Sequence, residues 1–117
     1  MTVNDVINQA LSALPYERGR LPAKATAKTY VSWFEVTDST GYQASNRALR
    51  TVYLMQVDIY AKKPLTDQPE KVKAALRAAG LKIDSGGPED YEEDTGYHHL
   101  PIRCWWARKN DQRSDTV

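Results

Sequence analysis

Val3, Val6, Ile7, Ala10, Leu11 and Leu14 recur at steps of three and four, the spacing that lines apolar side chains along one stripe of a helix. Thr2 followed three residues on by Asp5 resembles a capping box, and the acid suits the positive end of a helix. Pro15 stops the pattern. From Tyr16 to about Lys28, with Gly19 and Pro22, the sequence predicts a connection. The run TYVSWFEVT at 29–37 is rich in β-branched and aromatic residues and predicts a strand. DSTGYQASNRAL at 38–49 has no period of two or 3.6 and predicts a long hairpin loop. A long strand follows from about Arg50 to Lys62 and ends before Pro64. Asp67 with Glu70 gives a second capping pattern, Pro69 sits in the first turn, and Gly80 supplies the stop for a helix whose apolar face is Val72, Ala75, Leu76 and Ala79. LKID then reads as a short strand and Gly86, Gly87 and Pro88 as a turn. Two more strands, EDYEEDT and HHLPIRCWWAR, are separated by Gly96, and Leu100, Ile102, Cys104 and Trp106 share a face of the second.

The order α-β-β-α-β-β-β predicts an α+β fold, an antiparallel or mixed sheet of four to five strands with both helices packed on one face. At 117 residues the chain suits about one domain, placed at 1–108, with a polar tail at 109–117 that composition predicts to be disordered. The long strand raises a difficulty within this scheme. In LMQVDIYAKK, Met55, Val57, Ile59 and Ala61 suit a core, yet the opposite face carries Leu54 and Tyr60 beside Gln56 and Asp58. Val31, Trp33 and Trp105, mixed with Glu35 and Arg103, are expected on that second face too. A monomer seldom exposes a contiguous apolar patch above a few hundred Å², so either the sheet curls on itself or a partner covers it.

Charge changes the picture locally. Charged residues make up 26% of the chain but the net charge is +1, so no global field argues for nucleic acid or an anionic membrane. Between Asp84 and Asp94 the acids Asp84, Glu89, Asp90, Glu92, Glu93 and Asp94 occur without a base, while Arg18, Arg20, Lys24, Lys28, Arg47 and Arg50 dominate 17–50. The two regions read either as solvated surface or as opposite patches through which copies meet head to tail.

Candidate chemistry is sparse. Cys104 is the sole cysteine, which excludes an internal disulfide and fits a reducing, cytosolic setting; its alternation with apolar neighbours makes it a core residue. Adjacent His98 and His99 on a strand point to opposite faces, so no metal site and no cofactor is expected. No apolar run approaches the ~20 residues of a membrane span. MTVNDVINQALSAL lacks the basic start and uninterrupted apolar run of a signal peptide. No nucleophile, base and oxyanion donor can be named together, and SGGPED lacks both the spacing and the following helix of a phosphate loop, so no enzyme activity is expected. An alternative is a small nucleic-acid or ligand-binding module using the basic loop 38–50, with Tyr16, Arg18, Arg20, Tyr42, Arg47, Arg50 and Tyr53 as the bases and aromatics. The near-zero net charge speaks against nucleic acid.

VINQAL in the first helix, YVSWFEV, a polar loop, YLMQVDIYAKK, KVKAALRAAGL and the acidic hairpin DYEEDTGYHHLPIRCWW follow one another in this order. Over residues 1–108 this succession resembles the tail-completion proteins of long-tailed phages and prophages, the minor tail proteins that join tail to head. QVDIYAK followed by VKAALRAAG carries most of the likeness, and the pair Trp105–Trp106 departs from it where smaller aliphatic residues are expected. The resemblance implies a virion structural protein made in the host cytoplasm, and it leaves open whether the free subunit is a monomer. On assembly it would form a homo-oligomeric ring touching the head connector and the tail tube; the hydropathy speaks against a membrane partner and the net charge against nucleic acid. The interface candidates are Arg47, Arg50, Leu54, Gln56, Asp58, Tyr60, Glu92, Glu93 and Trp105, with Arg47 and Arg50 meeting Glu92 and Glu93 of a neighbour.

Overall fold

Both helices start and stop where side chains can satisfy their open ends. In the computed structural model, which describes residues 1–20, 28–38 and 50–109, α1 spans Val3–Leu11. Thr2 Oγ1 accepts from the Asp5 amide at 3.1 Å and Asp5 Oδ2 accepts from the Thr2 amide at 3.0 Å, a complete capping box. The helix ends before Pro15, with the Ser12 hydroxyl donating to the Gln9 carbonyl at 2.6 Å. The second helix, α2, spans Gln68–Ala78. Asp67 occupies its N-cap position but makes no side-chain cap bond; its carboxylate turns to Lys71 Nζ at 3.1 Å, so the predicted second capping box is absent. At the other end Gly80 takes φ +96°, and the amides of Gly80 and Leu81 donate to the carbonyls of Arg77 and Leu76, both at 3.0 Å. That is the paired closure of a Schellman motif, and it turns Leu81 into the core.

Six strands form one sheet: β1 (Glu17–Arg20), β2 (Thr29–Asp38), β3 (Arg50–Ala61), β4 (Lys82–Gly86), β5 (Asp90–Glu92) and β6 (Tyr97–Lys109). Their order is β1-β2-β3-β6-β4, with β5 also on β6. All pairs are antiparallel except β1 with β2. The fold is α+β with a mixed sheet, as expected. The sixth strand is β1, which lies inside the expected connection 16–28: ERGR has no alternation to betray it and extends because it ladders onto Tyr30–Trp33. EDYEEDT yields only the short β5, then a turn that Gly96 closes at φ +77° with its amide on the Glu92 carbonyl at 2.8 Å. Gly86 continues β4 rather than starting the turn, and β6 reaches Lys109, one residue past the expected domain end.

The core lies between the helices and one face of the sheet. Val3, Ile7 and Leu11 of α1 and Val72 and Leu76 of α2 pack on Val31, Trp33, Met55, Val57, Ile59, Ile102 and Cys104. Val31, Trp33 and Glu35 therefore belong to the helix side of the sheet and not to its second face. Register decides this: Val31 stands opposite Ile59, Trp33 opposite Val57 and Glu35 opposite Met55, all on the inward phase of β3. Trp33 Nε1 donates to Asn4 Oδ1 at 3.0 Å, tying the indole to α1. No helix among the described residues is long and apolar enough to cross a membrane.

Candidate functional site: the sheet face away from the helices

The second face carries every other residue of the same strands. Tyr30, Ser32 and Phe34 come from β2, and Leu54, Gln56, Asp58 and Tyr60 from β3. Across β3 stand Trp105, Arg103, Pro101 and His99 of β6. Asp90 and Glu92 of β5 lie opposite His99 and Tyr97. The long strand is thus two-faced because both of its faces are used, and the second face divides into two parts.

One part is tightly bonded within the chain. Tyr60 lies between its two cross-strand neighbours, stacked on Tyr30 at 4.8 Å and on His99 at 4.5 Å between ring centroids. Tyr97 meets Tyr30 and Tyr60 edge-on, and Lys62 Nζ sits 4.0 Å from the centre of the Tyr97 ring while donating to the Thr95 carbonyl at 2.6 Å. Beside the rings runs a polar chain. His99 Nε2 is 2.8 Å from Asp58 Oδ1, the same oxygen accepts from Gln56 Nε2 at 2.9 Å, and Gln56 Oε1 accepts from Arg103 Nε at 2.9 Å. Asp58 is only 4% exposed, and a carboxylate so buried needs such partners. Glu92 Oε2 approaches His99 Nδ1 to 3.8 Å. The hydrogen bond to Asp58 raises the His99 pKa above its ordinary value; burial opposes this, and the charges of Asp58, Glu92 and Asp90 add to it. Burial pushes the Tyr60 phenol upward, with nearby Asp58 and Glu92 in support.

The other part is more open and more apolar. Phe34 is 42% exposed and stands opposite Gln56, which pairs with Arg103; in the next row Leu54 and Trp105 are half-buried cross-strand partners. Trp105 also walls a cleft of about 780 Å³ with Val52, Arg77, Lys82, Ile83 and Asp84. Aromatic and aliphatic anchors around an arginine are the residue types that protein interfaces favour.

Of the sequence-predicted interface residues, Leu54, Gln56, Asp58, Tyr60, Glu92 and Trp105 come together on this face, and Glu93 stands exposed in the adjoining turn. Asp58 and Gln56 spend their polar atoms inside the chain. Arg47 lies outside the described residues, as do the rest of loop 39–49, tail residues 110–117 and the side chain of Arg50, whose backbone opens β3. The expected solvated acids are partly engaged: Glu89 Oε2 is 3.0 Å from His98 Nδ1 and accepts from the Leu65 amide at 3.3 Å. His98 and His99 do point to opposite faces, one to Glu89 and the other to Asp58. Cys104 is sealed in the core opposite Met55, and burial pushes its thiol up to about 12. Sequence reasoning missed His99 and Arg103 as the ends of the polar chain. A buried aspartate on β3 was the available signal, since it demands a basic neighbour.

Two helices backing a six-stranded mixed sheet, with an aromatic and polar second face, define the protein by fold. No protein-family profile and no curated protein matches the sequence. Among solved structures, a chain of the virion of a native gene transfer agent (GTA) particle shares the fold with a TM-score of 0.61 at 16% identity, over 92% of this chain and 93% of that one.

Proposed function

We propose that the chain is a virion structural protein of a phage-like particle, acting where a tail is completed or joined to the head connector. It works without catalysis, as a ring of copies in head-to-tail contact that also touches the connector and the tail tube, and it is assembled in the host cytoplasm. The observation that carries this reading is the fold shared with a virion chain over nearly the full length of both proteins. The second sheet face supports it, since Phe34, Leu54 and Trp105 around Gln56 and Arg103 make a half-apolar surface suited to a protein partner. Removal of the gene from particle-producing cells is expected to leave finished heads and finished tails unjoined, and resupply of the protein to restore joining. Joined, infectious particles at normal yield without it would overturn the role.

A further inference from the structure

The sheet has two outer edges, and their charges are opposite. On one, β1 pairs only with β2 among the described residues; its Arg18 and Arg20 are exposed beside a single acid, Glu17, and Arg18 Nε also donates to Asn8 Oδ1 at 2.8 Å. On the other, β4 and β5 lie end to end along β6 with no further strand beside them among the described residues. Asp84, Asp90, Glu93 and Asp94 are exposed there, with Lys82 of β4 as the one exposed base, so the net charge of this edge is negative. An uncovered strand edge presents amides and carbonyls able to pair with another chain.

We propose that successive copies of this chain join edge to edge, β1 of one copy against β5 and the adjoining β4 of the next, so that the sheet continues from copy to copy. This deepens the head-to-tail contact proposed above and rests on it. Strand direction supports the pairing. β1 runs with β2, against β3, with β6 and against β4 and β5, so the two edges run in opposite directions. A continuation that keeps the helices of all copies on one side sets β1 antiparallel to β5 of its neighbour, the more stable ladder. Charge then selects among the possible pairs. A twofold contact of β1 with β1 places arginines on arginines, and one of β5 with β5 places acids on acids; β1 with β5 sets the arginines on the helix side against Tyr91 and the acidic turn after it, while Glu17 falls on the other face with Asp90 and Glu92. Arg18 and Arg20 alternate to the helix side with Val31 and Trp33, as Tyr91 does with His98. The contact therefore brings two guanidinium groups to a tyrosine that is 53% exposed and to the acids of the turn after it.

The test is sedimentation velocity of purified protein over rising concentration up to the solubility limit. The comparison set is wild type, Arg18→Glu with Arg20→Glu, Glu93→Lys with Asp94→Lys, and all four changes combined. All four positions are exposed, and an unchanged Tm checks that each variant folds. Wild type is expected to gain mass with concentration, each double variant to associate roughly tenfold more weakly or worse, and the combined variant to regain association. Wild type that stays monomeric throughout, or an Arg18→Glu, Arg20→Glu variant that associates as wild type does, overturns the edge pairing. Joining assays in cells separate this from the virion role. If the arginine variant joins heads to tails fully, the edge pairing fails and the role stands; if edge-dependent association occurs in a chain dispensable for joining, the reverse holds.

Discussion

His99 is the residue whose surroundings most constrain its chemistry. Its imidazole lies against Tyr60, bonds to Asp58 and faces Glu92 and Asp90, so the fold favours the charged form. A pKa raised on folding stabilises the folded state fully below the ordinary value near 6.5 and loses that contribution as pH rises through the folded value. Urea unfolding between about pH 6 and pH 8 should therefore show wild type losing stability relative to His99→Gln as pH rises; a constant difference would contradict the pairing. Asp58→Ala should cost about 1–3 kcal/mol, because it strands Gln56 and His99, and should lower the His99 pKa measured by NMR. Asp58 on the long strand was the only sign of this in the sequence. His99 and Asp58 meet only because β3 and β6 pair in the register that sets Tyr60 opposite His99, and nothing local to either residue encodes that register.

At the scale of elements, periodicity sufficed where one face of an element is buried and the other wet. Both helices and the inward phase of β3 follow directly from apolar spacing. It failed for β2, where Tyr30 and Phe34 alternate with Val31 and Trp33 and neither set is polar; tertiary contacts, including Trp33 with Asn4, choose the phase. It failed for β1 because a four-residue strand of charged residues and glycine is extended by its ladder to β2 rather than by its own propensity. The two capping patterns look alike in sequence and differ in space, which gives an element-scale test. Thr2→Ala should destabilise by about 1 kcal/mol in thermal or urea unfolding, since it opens a formed capping box. Asp67→Ala should cost distinctly less, because its exposed carboxylate makes no cap bond and only a surface pair with Lys71.

For the whole molecule, the two-faced pattern of β3 reflects a sheet with a buried inner side and an outer side that is only partly covered. The inner side is the core under the helices. The outer side is half self-bonded, through the tyrosine stack and the His99–Asp58–Gln56–Arg103 chain, and half apolar around Phe34, Leu54 and Trp105. The self-bonded half ties β2, β3 and β6 together beside the apolar half, and the proposed edge contact would give each copy a direction. The most direct test of the proposed place in a phage-like particle is quantitative mass spectrometry of particles purified to constant density, with heads and tails also separated and analysed. The account predicts this chain in joined particles at a small, constant copy number relative to the connector and tail-tube proteins. Its absence from joined particles, in a strain that expresses it during assembly, would contradict the account.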